Sequence, residues 1–396
     1  MFQRWLHLPD VGPLYAALGA KAANLLDGDP VWLLLVGPPG SGKSELLAAL
    51  CTCRDVHPAA TLTEAALLSG TPKREKASDA KGGLLRSIGD FGIIVAKDFG
   101  SVLSMNRDAR AAVLAALREI YDSAWTRHVG TDGGRTLTWT GKVGLIAGCT
   151  PTIDRHYAVM GAMGERFVLY RLPEVSSCDQ ASQALLHAGK EKAMRAEFSQ
   201  AVADLFAQPL RKPRDRDDAE TARLIALATL TVRCRSAVER DGYSREVELI
   251  PEPEAPTRLV IVLDRLLAGL DAIGVERQAA WHVVTKAALD SIPAIRRSIL
   301  EALLGLDEPT ETPVIAEQLG YPTGTSRRAL EDLTAHGIVQ RTRPAKGAKN
   351  VDRWQLTEWA ETSYRACVPE LSGAICCAAN PLYLPLRVFD DKSGTR

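Results

Sequence analysis

At 396 residues the chain is well past the ~150 that one core comfortably serves, so two or three domains are expected. Its composition, 46% hydrophobic and 24% charged, is that of a globular protein and excludes a disordered or fibrous one. Lys plus Arg and Asp plus Glu balance at 48 each, so charge alone argues for no polyanionic partner, and any basic surface must be local.

The opening, MFQRWLHLPD, lacks the apolar region of a secretory signal. The longest apolar run, Val31 to Val36, is far short of the ~20 residues that span a bilayer. A cytoplasmic protein without membrane association is expected. Eight cysteines include no CxxC pair, which fits reduced, largely buried thiols better than zinc ligands.

Residues 1–29 read as a helical lead-in with an amphipathic stretch, LYAALGAKAANLL, closed by the turn signal DGDP. From 30 to 173 apolar strands alternate with helical periodicity: VWLLLV, SELLAALC, GIIVA, DARAAVLAALREIY and KVGLIAG. That alternation predicts an α/β fold, a parallel sheet with helices on both faces. Residues 174–290 read as helices interrupted by the charged RKPRDRDD and the proline-rich ELIPEPEAPTR. A further unit is expected at 291–360, followed by a tail, 361–396.

The residues Gly37, Pro38, Pro39, Gly40, Ser41, Gly42, Lys43 and Ser44 match GxxxxGK[ST] in full, directly after an apolar strand and before a helix. The glycines let backbone N–H groups turn toward phosphate oxygens, and the helix adds its positive dipole end. Lys43 is expected to reach the outer phosphates and Ser44 to ligate Mg²⁺, so ATP and Mg²⁺ are the expected cofactors. The metal-side carboxylate is expected at the end of GIIVAKD. Many such ATPases follow that aspartate with a water-orienting glutamate, but Phe99 follows Asp98. Two registers fit. Asp98 is the metal-side acid and a base such as Glu119 or Asp122 lies elsewhere, or Lys97 holds the metal-side position and Asp98 polarises the water. Absent or weak hydrolysis is a third reading.

The segment TLTEAALLSGTPKREKASDAKGGLLRSIGDFGIIVAKDF resembles, in its order, the corresponding part of AAA+ ATPases of the group holding MCM helicases, magnesium-chelatase-like ATPases and enhancer-binding activators. WTRHVGTDGGRTLTWT reads as a β-hairpin, and the MCM-like group carries a DNA-touching hairpin at the corresponding place. The resemblance makes Thr150 the polar sensor of the γ-phosphate. It makes Arg166, with Arg171 as second possibility, the arginine that enters a neighbouring subunit's site, and Arg223 the arginine of a helical lid. Self-association into a ring or filament follows from the same resemblance.

SIPAIRRSILEALLG, ETPVIAEQLG, TGTSRRALEDLTAHG and the strand pair around IVQRTRPAKGAKNVDRWQLT look like a winged helix-turn-helix domain. The amphipathic helix from Thr323 should turn Leu330 and Leu333 inward. Between Thr323 and Arg353 seven Lys/Arg stand against three acids, a local +4. Thr325, Ser326, Arg327 and Arg328 are the expected base-edge or phosphate contacts to DNA, with Arg343, Lys346 and Lys349 on the backbone. The functional expectation is an ATP-hydrolysing protein acting on DNA: a replication helicase, initiator or loader of phage or mobile-element type. The alternative is a DNA-bound transcription regulator switched by ATP with little turnover. A protein-remodelling ATPase without DNA affinity is the third possibility.

Overall fold

The computed structural model describes residues 1–69, 82–130, 134–157, 166–342 and 351–368. By contact the chain forms two compact units, Met1–Asp217 with Thr257–Ser291, and Asp218–Pro256 with Ile292–Arg396. The stretch read as lid and linker, 174–290, is divided between them.

The first unit is built on seven strands: β1 (Trp32–Val36), β2 (Val56–Ala59), β3 (Phe91–Ala96), β4 (Ala124–Val129), β5 (Arg135–Thr140), β6 (Lys142–Cys149) and β7 (Phe167–Arg171). Five of them form one parallel sheet in the order β2-β3-β6-β1-β7. Every residue of β1 and β7 is buried, which is why they read as continuous apolar runs rather than alternating ones. Trp32, Leu34 and Val36 share one core layer with Val113, Leu117 and Tyr121 of the Arg107–Tyr121 helix. On the opposite face, a Cβ added at Gly144 would meet Asn24 at 2.6 Å and one at Gly148 would meet Leu47 at 3.2 Å. The Gly12–Leu25 and Lys43–Leu50 helices therefore cover that face. β2 escaped the sequence reading because VHPA carries a proline, tolerated here at the edge of the sheet.

The Gly12–Leu25 helix, expected as an amphipathic stretch, is not one-sided. It is buried nearly all round, between the sheet and the Thr257–Ala272 helix. The two helices approach closely through glycines: a Cβ on Gly269 would stand 2.2 Å from the Gly19 carbonyl oxygen. Burial forces the polar residues to find partners. Asn24 exchanges hydrogen bonds with both backbone groups of Val31, and the Lys21 ammonium pairs with Asp55 at 3.0 Å.

Strands β4 and β5 form the expected hairpin, with Trp125 opposite Trp139. Both tryptophans are buried, and Trp139 Nε1 donates to the Gly89 carbonyl at 2.8 Å. Their role is to anchor the hairpin, leaving Thr126, His128, Thr136 and Thr138 exposed. Most of the TDGG turn lies outside the described residues.

In the second unit the Ala294–Leu304, Thr312–Leu319 and Thr323–Ala335 helices are followed by the strands Val339–Thr342 and Arg353–Leu356. With Thr310–Glu311 these strands make a three-stranded sheet. This is the winged-helix arrangement. Gly320, at φ +66°, closes the second helix in the left-handed conformation that L side chains resist. Leu330 and Leu333 face inward as the periodicity predicts, and buried Trp354 donates to Thr312 Oγ1 at 2.8 Å. The Asp218–Arg235 helix packs against the Glu358–Cys367 helix in the same unit. Among the described residues no helix is long and apolar enough to cross a membrane.

Candidate functional site

Because β1, β3, β6 and β7 are parallel, the residues that follow them gather at one edge of the sheet. Gly37 to Gly42 follow β1, Lys97 and Asp98 follow β3, and Thr150 follows β6. Gly40 and Gly42 take φ of +79° and +83°, the conformations that turn the loop into the Lys43–Leu50 helix. At Gly37 an added Cβ would press on Ser41 Oγ at 3.1 Å and Leu172 Cβ at 3.2 Å.

Lys43 is buried, and its Nζ donates to the Gly37 carbonyl at 2.6 Å, the Pro38 carbonyl at 2.7 Å and Ser41 Oγ at 3.1 Å. An ammonium has three donors. All three are turned onto the loop, which marks a cationic cradle suited to an oxyanion. Burial lowers the Lys43 pKa below the ordinary lysine value, while the nearby Cys149 and Asp98 oppose that shift. Ser44 is exposed at the start of the same helix, where a metal-bound phosphate would lie. The loop residues thus fit a nucleotide phosphate group with its Mg²⁺.

Phe99 is fully buried and packs on Phe167 with ring centroids 5.1 Å apart. Its backbone N–H donates to the Gly148 carbonyl at 2.7 Å. The position where a glutamate was sought is therefore a core position. Lys97 and Asp98 are exposed. The field of Asp98 is felt at Lys43 and Cys149, whereas that of Lys97 is felt at Cys51, beyond the far end of the Lys43–Leu50 helix. Asp98 is thus the nearer of the two to Lys43, which fits either register. Its Oδ1 accepts from the Gly100 N–H at 2.9 Å. Burial, followed by the Asp98 charge, pushes the Cys149 thiol up to about 11, so this cysteine stands at the site as a neutral group.

Thr150 Oγ1 lies 2.6 Å from Thr152 Oγ1. Arg166 stands at the opposite edge of the sheet, just before β7, where its guanidinium pairs with Asp122 at 2.6 Å and lies over the Tyr121 ring. It is separated from the phosphate loop by a five-residue strand, ~17 Å, and its side chain is buried, 7% exposed. Asp122 is occupied by that arginine, while Glu119 is exposed on the Arg107–Tyr121 helix. Arg171, the second possibility, is held within the unit by a fork, both its terminal nitrogens on Asp154 at 2.8 Å, and by a single bond from Nε to the Asp290 carbonyl at 3.1 Å. It is a buried structural arginine. Arg223 belongs to the other unit, where its Nε donates to the Cys367 carbonyl at 3.0 Å.

Sequence reasoning missed two features of the site. A pocket beside Ser41 is lined by residues 7–10 and Pro13 on one side and by Leu172, Pro173, Val175 and Gln180 on the other. The amino-terminal segment that walls it is tied down: Phe2 stacks on Phe198 at 4.1 Å, and Trp5 Nε1 donates to Glu197 at 2.9 Å. Secondly, Glu45, one residue past Ser44, forms a two-pronged pair with Arg195 at 2.8 and 2.9 Å. No motif marks either feature, since both depend on segments 150 or more residues apart being brought together.

On the winged-helix unit, Thr325 is half-buried and Arg327 and Arg328 are exposed, but Ser326 is fully buried. It lies on the inner stripe with Ala329, Leu330 and Leu333, so it is removed from the expected DNA contacts. The local +4 is also largely neutralised where it can be seen. Arg327 and Arg341 both grip Asp352, and Arg353 pairs with Glu311 at 3.2 Å. Arg328 makes no ion pair among the described residues. Arg343, Lys346 and Lys349 lie outside the described residues.

No family model matches the chain, and no curated protein matches it. Among solved structures, the chain is similar to the Orc1 protein of Aeropyrum pernix in complex with DNA, at 15% identity over 93% of this chain and 96% of that one, with a TM-score of 0.28. A likeness of that depth carries no argument, so the functional reading rests on the geometry of this chain's own residues.

Proposed function

We propose that the chain binds ATP with Mg²⁺ and uses it to act on DNA, as an AAA+ ATPase of the replication initiator, helicase or loader type. The observation that supports this most is the Lys43 ammonium turned inward among three oxygens of a complete phosphate loop, at the edge where Asp98 and Thr150 also lie. In this reading the loop N–H groups and Lys43 bind the phosphates, and Ser44 holds the Mg²⁺, which neutralises charge on the phosphate oxygens. Asp98 orders the metal's waters or polarises the attacking one, and Thr150 faces the outer phosphate. The base extends past Ser41, beside the small pocket walled by residues 7–10 and 172–180. In the same reading Arg166 leaves its pair with Asp122 to reach a neighbouring subunit's nucleotide, and the active species is an assembly. Arg328, Arg327 and Thr325 with the basic residues 343, 346 and 349 contact DNA. Isothermal titration with ATP tests the foundation: binding that requires Mg²⁺ and is lost in Lys43→Ala is the expected result, and equal affinity in the variant contradicts it.

One observation favours a second reading, an ATP-switched regulator with little turnover. Phe99 fills the core where a water-orienting glutamate is usual, and Asp122 is occupied by Arg166. Single-turnover hydrolysis separates the two readings.

A further inference from the structure

The second unit carries a hairpin that neither the nucleotide site nor the DNA reading uses. Its strands are Glu239–Arg240 and Val247–Leu249, and it follows the Asp218–Arg235 helix. Arg240 fixes it to the Thr323–Ala335 helix. Its guanidinium donates to Asp332 Oδ1 at 2.6 Å, Glu331 Oε2 at 3.1 Å and the Arg328 carbonyl at 3.0 Å, and also to the Arg245 carbonyl at 2.9 Å within the hairpin. The turn is ordered as well: Asp241 Oδ1 accepts from the Tyr243 N–H at 2.9 Å, and Arg245 donates its N–H to the Asp241 carbonyl at 3.1 Å. A rigid platform of this kind holds its outward side chains in place before anything binds.

Those side chains are unusual for a solvated hairpin. Tyr243 is 99% exposed, and Val247, Leu249 and Ile250 are 38%, 52% and 50% exposed. Four of the twelve exposed large apolar side chains among the described residues thus fall within eight consecutive positions. Clustering, rather than exposure of any one residue, marks a contact surface. Around them stand Glu239, Asp241, Glu246, Glu248 and Glu252, against Arg240, which is committed to the neighbouring helix, and Arg245. A phosphate backbone is repelled by that excess of carboxylates. Exposed apolar and acidic side chains are interleaved along the segment, which suits a partner in which apolar and basic side chains are likewise interleaved.

We infer that the 239–250 hairpin is a docking surface for another protein, and that its occupant is an extended segment in which lysine or arginine alternates with aliphatic residues. The aliphatic side chains cover Tyr243, Val247, Leu249 and Ile250, and the basic ones meet Glu246, Glu248 and Glu252. Glu248 is itself the extra residue opposite Glu239 and Arg240, and its bulge and charge together discourage pairing with unselected strands. A matched basic residue is then the condition for entry. The inference is independent of whether the neighbouring helix reads DNA.

The test uses the full-length chain and a fluorescein-labelled peptide of alternating lysine and valine, followed by anisotropy, with hydrogen exchange to locate it. The expected result is salt-sensitive binding that slows exchange at residues 246–250. It should weaken by ~tenfold in Glu246→Lys/Glu248→Lys. It should weaken comparably in Leu249→Ser/Ile250→Ser, which leaves every charge in place, with the circular dichroism of both variants unchanged. Equal binding by wild type and both variants, or protection elsewhere than 246–250, overturns the assignment. A change in sedimentation of the variants without peptide also overturns it, by assigning the surface to a second copy of this chain. ATP binding serves as the internal control and should be the same in all variants.

Discussion

Lys43 shows how a single residue stores the readiness of the site. Its three donors are filled by Gly37, Pro38 and Ser41, and burial has lowered its pKa, so the charge is held at a cost that an arriving polyphosphate relieves. The sign is definite. A lowered lysine loses its proton before free lysine does, and bound phosphate restores it, so ATP binding takes up protons as the pH approaches the ordinary lysine value. Titrations in buffers of differing ionisation heat should detect that uptake, and Lys43→Ala should lack it. At Arg166 the same reasoning runs through distance. Arg166 is buried at the far end of its sheet and paired with Asp122, so the proposed role in a neighbouring site requires it to leave that pair. Arg166→Ala should leave ATP affinity within about twofold while lowering turnover ~10³-fold where subunits assemble. A matching loss of affinity would assign the residue to its own subunit's stability. Ser326→Ala should leave DNA affinity unchanged, because the side chain is fully buried, whereas Arg328→Ala should weaken it. Filter binding on the two variants separates them.

At the scale of elements, the wing depends on one carboxylate. Buried Asp352 is gripped by Arg341 at 2.6 and 2.7 Å and by Arg327. Burial opposes its charge, but the two guanidinium groups outweigh it and hold the carboxyl below the usual aspartate range. Its contribution is therefore complete above the ordinary aspartate pKa and is lost as the pH falls through the depressed one. Asp352→Asn should cost about 1–3 kcal/mol in urea unfolding at neutral pH, with the difference shrinking in acid. The elements themselves were largely legible. Fully buried parallel strands betray themselves as apolar runs, and Gly320 and the Leu330/Leu333 stripe marked the helices of the winged unit. What stayed hidden was placement. Periodicity cannot say that the Gly12–Leu25 helix is packed on both sides, that Ser326 shares the inner stripe, or that the 257–291 helices return to the first unit. Charge counting overstated the basic surface because ion pairs join residues distant in sequence, as Arg353 joins Glu311.

For the whole molecule, the loop motif lies at the sheet end where the sequence put it, yet the residues packed around it come from elsewhere in the chain. Arg195 pairs with Glu45 in the first turn of the Lys43–Leu50 helix, and residues 7–10 and Pro13 wall the adjacent pocket. The proposed function couples ATP turnover to DNA. Steady-state ATP hydrolysis by the purified protein, with and without single- and double-stranded DNA and beside Lys43→Ala, tests that claim most directly. Turnover that rises with DNA and disappears in the variant is the predicted result. A rate indifferent to DNA, or one that survives the loss of Lys43, would contradict it.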